Sequence, residues 1–290
     1  MKKTIVSRLS VAVSCAVFVA LPGFAGKLTE KIAASCPVTG TDTFYGFART
    51  TFEFNGHTAW IVEPSVAVAE GRPWTWTMQW ATAFVDRTPA LHLLREGWHH
   101  VTIDTFSHRM NDEGLAISAA FQKFLVEKLG FSPKACLIGL SWGGFFSTRY
   151  TAAHPENVRA IYYDCPLMNF DKFRDLPQGQ PCPAIGVWTN SIPASGWTAD
   201  PRMPVNMADA LAAAKIPVYL VYGGADRVVP PEANCELFLP RFKAAGGRIT
   251  VDRRESYGHH PHGVEQLDTR LAAFFYEATY GRKPVFGQAR

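Results

Sequence analysis

The sequence predicts a protein of the α/β class, with a mostly parallel sheet covered by helices on both faces. Apolar runs typical of buried strands alternate with helix-like segments along most of the chain. The 290 residues are 47% hydrophobic and 19% charged, which is typical of a globular protein large enough for one sizeable α/β domain. The dipeptide Asn55-Gly56 is a hairpin signal, so we expect the sheet to open with antiparallel strands.

The beginning of the chain has the pattern of an export signal. Lys2, Lys3 and Arg8 precede an apolar run over residues 11–21, and the segment 22–25, with the small residues Gly23 and Ala25, supplies a cleavage site. The apolar run is too short to span a bilayer comfortably. We therefore expect residues 1–25 to be a cleaved Sec-type signal peptide, and the alternative is an uncleaved anchor. The mature protein is predicted to be secreted or periplasmic, without stable membrane insertion.

The elements of the predicted domain, residues 26–290, follow in order. Residues 28–46 show no clear periodicity and are expected to form an irregular lead-in. Apolar runs bounded by turn signals predict strands at 50–54, 59–62, 74–78, 98–103, 136–140, 158–163, 218–222 and 249–253. Amphipathic periodicity predicts helices at 88–95, 113–129, 145–153, 206–215, 231–245 and 264–280. Residues 166–204, rich in proline and aromatic side chains, are expected to be an irregular lid or insertion after the sixth strand.

The six cysteines fall into three groups. Cys15 lies in the predicted signal peptide, and Cys136 lies in a strand, where a small buried hydrophobic residue is expected. The others are candidates for disulfides formed during export: Cys36, Cys165, Cys182 and Cys235. A bridge between Cys165 and Cys182 would close a short loop and is the first pairing to consider.

The most specific motif is a serine between glycines, Gly139-Leu140-Ser141-Trp142-Gly143. A predicted buried strand precedes this motif, and a helix-like segment follows it. Such a tight turn from strand to helix favours glycine on both sides and exposes the serine hydroxyl at the carboxyl edge of the sheet. The pattern therefore predicts a nucleophile at Ser141. The alternative is a glycine-rich turn with an incidental serine.

A candidate acid follows at a later strand end, which is where active sites of parallel sheets lie. Asp226 comes after a buried strand and the turn Gly223-Gly224, and it is the predicted acid, although an aspartate here could merely cap the next helix. Asp164 also ends a strand and is the alternative acid, with a structural or substrate-contacting role favoured for it. Asp104 ends another strand and is expected to be structural.

A candidate base follows the last strand. His259 directly follows Gly258 and is the predicted base, and His260 and His262 are alternatives for packing, for substrate binding or for the base itself. The three histidines could also bind a metal ion, but no carboxylate or cysteine completes a familiar ligand spacing, so no metal is expected. An imidazole that takes the serine proton, held by a carboxylate, would turn a weak hydroxyl into a nucleophile.

Together these motifs resemble those of the α/β-hydrolase superfamily over nearly all of residues 26–290. The pattern is similar to exported esterases and peptidases of the dienelactone-hydrolase and prolyl-oligopeptidase-like branches, which include carbohydrate acyl esterases. The resemblance implies an α/β-hydrolase fold and a catalytic triad of Ser141, Asp226 and His259.

The resemblance also implies an oxyanion hole formed by the backbone N–H of Trp142 and by one from Gln79 or Trp80. Many lipases carry a His-Gly dipeptide after the third strand, and this chain departs from them with Met78-Gln79-Trp80. Trp80 and Trp142 lie beside the predicted serine, and Trp188 lies in the insertion. We expect them to form part of a wall for a flat or sugar-like group, and the alternative is simple packing.

The function predicted from these observations is an exported serine hydrolase without a cofactor. Its expected substrates are carboxylic esters, such as short acyl esters of carbohydrates. A serine peptidase of the prolyl-oligopeptidase-like type and a catalytically silent binding module are the alternatives. The formal net charge of +4 is modest and no run of Lys or Arg stands out, so no nucleic-acid partner is expected. The sequence does not specify an oligomeric state.

Overall fold

One sheet organises the structure. The computed structural model describes residues 26–171, 196–259 and 269–286, and within these ranges the sheet has nine strands. The strands are β1 Val38–Phe44, β2 Phe47–Phe54, β3 His57–Val62, β4 Trp74–Thr77, β5 His99–Ile103, β6 Ala135–Leu140, β7 Val158–Asp164, β8 Val218–Gly223 and β9 Ile249–Arg254.

The sheet is antiparallel on one side and parallel over the rest. Its strand order is β1-β2-β3-β5-β4-β6-β7-β8-β9. The pairs from β1 to β2, β2 to β3 and β3 to β5 are antiparallel, and the remaining pairs are parallel. The parallel strands β6, β7 and β8 are adjacent, so their carboxyl ends lie side by side at one edge. The predicted fold class, a mostly parallel sheet in an α/β protein, is confirmed.

Helices cover both faces of the sheet. Within the described residues they are α1 Lys27–Ala33, α2 Ala90–Arg95, α3 Asp112–Glu127, α4 Trp142–Ala153, α5 Ala208–Ala213, α6 Cys235–Ala244 and α7 Thr269–Tyr280. Residues of α2 and α7 bury one face of the sheet, and residues of α1 and α3 to α6 bury the other. The central strands β6, β7 and β8 contribute side chains to both cores, because successive residues point to opposite faces.

The beginning of the domain corrects one expectation. Residues 28–46, predicted to be irregular, contain helix α1 and strand β1. Strand β1 is mostly exposed and, among the described strands, pairs only with β2 at the edge of the sheet. Such a strand lacks the apolar pattern that sequence analysis relies on, since it buries almost no side chains.

The predicted insertion is described in part. Because β1 precedes the predicted strands, the insertion follows the seventh strand of the sheet rather than the sixth. Its described residues include short 3₁₀ helices at Trp197–Ala199 and Pro204–Asn206, and residues 172–195 lie outside the described ranges.

The cysteines correct a second expectation. Cys36, Cys136, Cys165 and Cys235 are buried with free thiols. The bridge proposed between Cys165 and Cys182 is therefore not formed, and Cys182 itself lies outside the described residues. The predicted signal peptide, residues 1–25, also lies outside them. Across the part of the chain that the structure describes, every helix is too short or too polar to cross a membrane.

Candidate active site

Ser141 occupies a strained turn between β6 and α4. Its φ of 52° and ψ of −116° are outside the regions that non-glycine residues normally adopt. The turn is held by the amide of Ser141, which donates to the carbonyl of Asp164 at 3.0 Å, and by the carbonyl of Ser141, which accepts from Leu167 at 2.8 Å. Strain of this kind persists only where the surrounding structure enforces it, and it is common at functional sites.

The glycines around Ser141 let β6 and α4 approach closely. A Cβ on Gly139 would lie 2.9 Å from Ser147 Oγ and 3.0 Å from the carbonyl oxygen of Gly143. A Cβ on Gly144 would lie 2.2 Å from Pro166 Cβ, which is far inside contact distance. Packing therefore requires glycine at position 139, where β6 meets α4, and at position 144, where α4 meets the chain that leaves β7.

A second pair of glycines brings the acid and the base together. Asp226 follows β8, and His259 follows β9. A Cβ on Gly223 would lie 2.1 Å from the carbonyl oxygen of Tyr257, so the two loops cross in contact at this point. The amide of Ala225 donates to the same carbonyl at 3.0 Å. This close approach explains why a glycine turn precedes Asp226. The sequence shows the glycines but not the contact that requires them.

The three predicted catalytic side chains form one hydrogen-bonded chain. His259 Nδ1 lies 2.7 Å from Asp226 Oδ2, and His259 Nε2 lies 3.0 Å from Ser141 Oγ. An ionised carboxylate can only accept, so Nδ1 carries the proton and Nε2 is left to accept from the serine hydroxyl. All three residues are largely buried, and each keeps a small exposed fraction: 9% for Ser141, 5% for Asp226 and 7% for His259.

The surroundings of Asp226 keep it ionised. Burial raises the pKa of this carboxyl, but the hydrogen bond and charge of His259 and the two backbone amides outweigh burial and hold the pKa below its ordinary value. The amides belong to Val228 and Val229, and each donates to Oδ1 at 2.9 Å. An ionised, oriented carboxylate is the partner that would fix the tautomer of an imidazole base.

Asp164, the alternative acid, has a different environment. It ends β7, is buried, and accepts a hydrogen bond from the Tyr162 hydroxyl. Its backbone carbonyl accepts the Ser141 amide and so helps to hold the nucleophile turn. These contacts fit the structural role that the sequence favours for it.

The loop after β4 runs beside the start of α4. The backbone nitrogen of Gln79 lies 3.4 Å from the point that a Cβ on Gly143 would occupy. Gln79 is 6% exposed, and its side-chain Nε2 has no hydrogen-bond partner among the described residues. Trp142 is the first residue of α4. The structure thus brings together the two segments that the resemblance assigns to an oxyanion hole.

The tryptophans near Ser141 differ in exposure. Trp80 is 42% exposed and has a left-handed φ of 62°. Its ring contacts Phe106 at a centroid distance of 4.9 Å. Trp142 is buried, and its ring packs among Phe106, Phe145 and Phe170. Of these two tryptophans, Trp80 is therefore the one that offers a surface to a ligand.

Two residues near the candidate site, Phe106 and Arg109, were not predicted from the sequence. Phe106 joins Trp80 to Trp142, and the guanidinium of Arg109 lies 3.6 Å from the centre of the Phe106 ring. These residues follow β5, so their place after a parallel strand is the signal that could have identified them. Cys165, which the sequence predicts as a disulfide candidate, directly follows β7.

Three predicted residues lie outside the described ranges: His260, His262 and Trp188.

A groove elsewhere on the molecule is a poorer candidate. Its volume is about 690 Å³, and its lining includes Val218 and Ile249, the first residues of β8 and β9. It therefore lies at the amino ends of the strands whose carboxyl ends carry Asp226 and His259. Active sites of parallel sheets lie at the carboxyl ends, so the hydrogen-bonded chain of Ser141 marks the candidate site.

Comparison with known proteins supports the fold. A family model described as the alpha/beta hydrolase fold matches residues 89–181. No curated protein matches the sequence.

Solved structures extend the likeness over most of the chain. The structure is similar to a puromycin-hydrolyzing peptidase of Mycobacterium tuberculosis, with a TM-score of 0.60, 16% identity and coverage of 86% of this chain and 40% of that one. Dipeptidyl peptidase 4 of Porphyromonas gingivalis gives a TM-score of 0.55 at 14% identity, with coverages of 84% and 35%. An S-formylglutathione hydrolase of Agrobacterium tumefaciens gives 0.58 at 14% identity, with coverages of 84% and 99%.

The similar structures differ in the fraction of their own length that this chain covers. It spans 35% to 51% of the length of the dipeptidyl and acylaminoacyl peptidases and of the puromycin-hydrolyzing peptidase, but nearly the whole S-formylglutathione hydrolase. At identities of 16% and below these likenesses establish the fold.

Proposed function

We propose that this protein, which has the α/β-hydrolase fold, is a serine hydrolase that cleaves carboxylic esters through an acyl-enzyme. The observation that carries the proposal is the chain of hydrogen bonds from Ser141 through His259 to Asp226, at 3.0 and 2.7 Å. These distances lie within the range that a nucleophile, a base and an orienting acid need.

The proposed mechanism assigns one task to each residue. Ser141 Oγ attacks the ester carbonyl carbon while its proton passes to His259 Nε2. Asp226 holds the imidazole through Nδ1 and stabilises the imidazolium that forms. The same proton is then delivered to the alkoxide leaving group, and a water molecule repeats the sequence to release the acid from the acyl-enzyme.

The negative oxygen of the tetrahedral intermediate requires donors that are fixed in advance. The backbone amides of Gln79 and Trp142 are the proposed pair, because the loop after β4 adjoins the first turn of α4. Loss of one such donor typically lowers kcat by about 100- to 1,000-fold.

A short acyl group suits the buried surroundings of the serine. Leu167 is hydrogen-bonded to Ser141 at 2.8 Å, so the start of the insertion passes directly beside the nucleophile. The rings of Phe170, Phe145 and Trp142, from the start of the insertion and from α4, are buried and packed together. We propose acetate or a similarly small acyl group, on a carbohydrate or an aromatic alcohol that contacts the exposed face of Trp80.

A panel of substrates tests this proposal on the purified protein with residues 1–25 removed. p-Nitrophenyl acetate, butyrate and palmitate are compared with an acetylated oligosaccharide and with aminoacyl amides. We expect the acetate or butyrate ester and the acetylated sugar to have the highest kcat/KM. Preference for the palmitate ester, or for amides over every ester, would contradict the proposed substrate class.

A serine peptidase is the second candidate, because several structural neighbours are peptidases. Triads that cleave amides also cleave activated esters, since an ester carbonyl is the more electrophilic of the two. The amides in the panel therefore decide between the candidates, and hydrolysis of p-nitrophenyl acetate alone does not.

We also propose that the protein acts outside the cytoplasm. Lys2, Lys3 and Arg8 and the apolar run after them support cleavage of a signal peptide near Gly26. Mass spectrometry of protein recovered from the periplasm or medium should find an amino terminus near Gly26. An intact Met1 or Lys2 terminus on exported protein would exclude cleavage.

A further inference from the structure

A thiol adjoins the acid and the base. Cys165 directly follows β7 and is 4% exposed. Its sulfur, one carboxylate oxygen of Asp226 and one ring nitrogen of His259 all lie within 4.8 Å of one another. The proposed hydrolysis uses the carboxylate and the imidazole but assigns no task to the thiol.

The backbone fixes this thiol in place. Cys165 has a left-handed φ of 43°, and its amide donates to the carbonyl of Val221 in the adjacent strand at 2.9 Å. Two residues later, the amide of Leu167 donates to the carbonyl of Ser141 at 2.8 Å. The backbone that carries the thiol is thus held by the adjacent strand β8 on one side and by the nucleophile turn on the other.

Sulfur, imidazole nitrogen and carboxylate oxygen are together the donors that zinc and cadmium bind in proteins. Zinc binds these atoms at about 2.0 to 2.3 Å, so tetrahedral ligand atoms stand about 3.3 to 3.8 Å apart. Asp226 Oδ2 and His259 Nδ1 are 2.7 Å apart and would have to separate by about 1 Å or less to reach this geometry. The sulfur of Cys165 lies within 4.8 Å of the other two ligand atoms and would have to approach them by about 1 Å. A water molecule or the substrate would complete the fourth position.

We propose that a thiophilic divalent cation, of the zinc and cadmium type, binds Cys165, Asp226 and His259 and reversibly inhibits the enzyme. The inference about inhibition rests on the proposed function, whereas the binding of the cation does not. The cation takes His259 Nδ1, the nitrogen that faces Asp226, and the proton of Nδ1 moves to Nε2. A protonated Nε2 cannot accept the Ser141 proton, so the nucleophile is not activated.

Binding of the cation releases one proton in all. The thiol loses its proton to the buffer when the sulfur binds the cation, and the imidazole proton only changes nitrogen. Removal of the cation by a chelator reverses both changes. Magnesium and calcium prefer shells made of oxygen ligands, so they should not inhibit.

The first test measures inhibition. Initial rates of p-nitrophenyl acetate hydrolysis are followed as Zn²⁺ or Cd²⁺ is added, with Mg²⁺ as the control ion, and each variant is compared with its own metal-free rate. Cys165→Ser should raise the half-inhibiting concentration at least tenfold. Cys235→Ser, which alters a buried thiol outside the three-residue cluster, should be inhibited like the unmodified enzyme.

The second test measures binding without hydrolysis. Ser141→Ala protein, whose circular dichroism shows that it is folded, is titrated with Cd²⁺ and followed by the ultraviolet cadmium–thiolate absorption. One equivalent should produce a saturable band that Ser141→Ala/Cys165→Ser lacks. Should that double variant not fold, Ser141→Ala/His259→Ala should need at least tenfold more Cd²⁺.

The outcomes separate the two proposals. A Cys165-dependent band in a protein that cleaves no ester or amide would retain the cation site and exclude the proposed function. An active enzyme that shows neither the band nor Cys165-dependent inhibition would overturn the cation site.

Discussion

Asp226 uses its two oxygens for different partners. Oδ1 accepts the amides of Val228 and Val229, each at 2.9 Å, and Oδ2 accepts Nδ1 of His259 at 2.7 Å. An asparagine that keeps the first pair of bonds through its oxygen presents its amide N–H to the imidazole, where a carboxylate oxygen stood. Asp226→Asn should therefore leave the fold intact and lower kcat by about 10⁴-fold, because the imidazole takes the wrong tautomer. Steady-state kinetics on a p-nitrophenyl ester measures the change.

Because the three side chains act as a unit, their losses should not add. The kcat of the double variant Ser141→Ala/His259→Ala should be within about tenfold of the kcat of Ser141→Ala alone. His154→Ala provides the control, since this histidine lies at the far end of α4 and is partly exposed. Losses that multiply across the two sites would mean that Ser141 and His259 work independently, contrary to the proposed triad.

Two buried histidines should make the protein sensitive to acid. Burial, helped for His99 by the charge of Arg72, lowers the pKa of His99 and of His100 from an ordinary 6.5 to about 3. In the unfolded chain each would take up a proton below about pH 6.5, so the unfolded state binds more protons between pH 6.5 and 3. The free energy of unfolding should therefore fall in this range, by on the order of a few kcal/mol per histidine.

The variant His99→Leu tests this assignment. His99 packs against Phe131 at a ring distance of 4.5 Å, and neither of its ring nitrogens has a hydrogen-bond partner among the described residues. Leucine should keep the packing and flatten the decline of the unfolding free energy between pH 7 and 5, as measured by urea denaturation. An unchanged slope would show that His99 is not responsible.

At the residue scale, the sequence indicates which side chains are candidates for catalysis better than it indicates what packs around them. Ser141, Asp226 and His259 were identifiable because each follows a strand through a glycine turn. The burial of Trp142 was not, because a tryptophan after the nucleophile can point into the core or into the cleft. Nor was the closeness of Cys165 to Asp226, since it depends on the pairing of β7 with β8.

The nucleophile turn is an element whose glycines have separate tasks. At Gly144 a Cβ would meet Pro166 at 2.2 Å, and backbone would have to move. Gly144→Ala should lower the free energy of unfolding by about 1–3 kcal/mol, the usual range for overpacking. Urea denaturation followed by fluorescence measures this loss.

Gly143→Ala is the matched control for that variant. Its Cβ would lie 3.4 Å from the nitrogen of Gln79, which is ordinary contact, so the loss of stability should be smaller. The methyl group would instead press on the loop that carries a proposed oxyanion donor, and kcat should fall by about 100-fold. Equal effects of the two substitutions on stability and on rate would contradict this division of tasks.

The central strands β6, β7 and β8 were predictable because burial on both faces gives them nearly continuous apolar runs. Strand β1 was missed because it lies at the edge with mostly exposed residues. Helix α5 is shorter than its predicted span, 208–213 against 206–215. Helix α7 occupies the described part of its predicted span, 269–280, and residues 264–268 lie outside the described ranges. The strand order, in which β5 lies between β3 and β4, depends on contacts between distant segments and leaves no local signal.

At the scale of the whole molecule, we expect the thermal stability to be independent of redox conditions, because the described cysteines are free thiols. Cys36, Cys136, Cys165 and Cys235 are buried and unbridged, and burial raises the pKa of each thiol. The thermal midpoint, measured by circular dichroism, should be the same with and without a reducing agent. A fall of about 5 °C or more on reduction would indicate a stabilising disulfide.

The central claim is that Ser141 is an activated nucleophile in the folded protein. A fluorophosphonate probe measures this directly, because it reacts covalently with activated serines, and peptide mass spectrometry locates the adduct. The native protein should carry one adduct, on Ser141, and Asp226→Asn should react much more slowly. Ser141→Ala should remain folded and unlabelled. An unlabelled native protein, or labelling that persists in Ser141→Ala, would contradict the account.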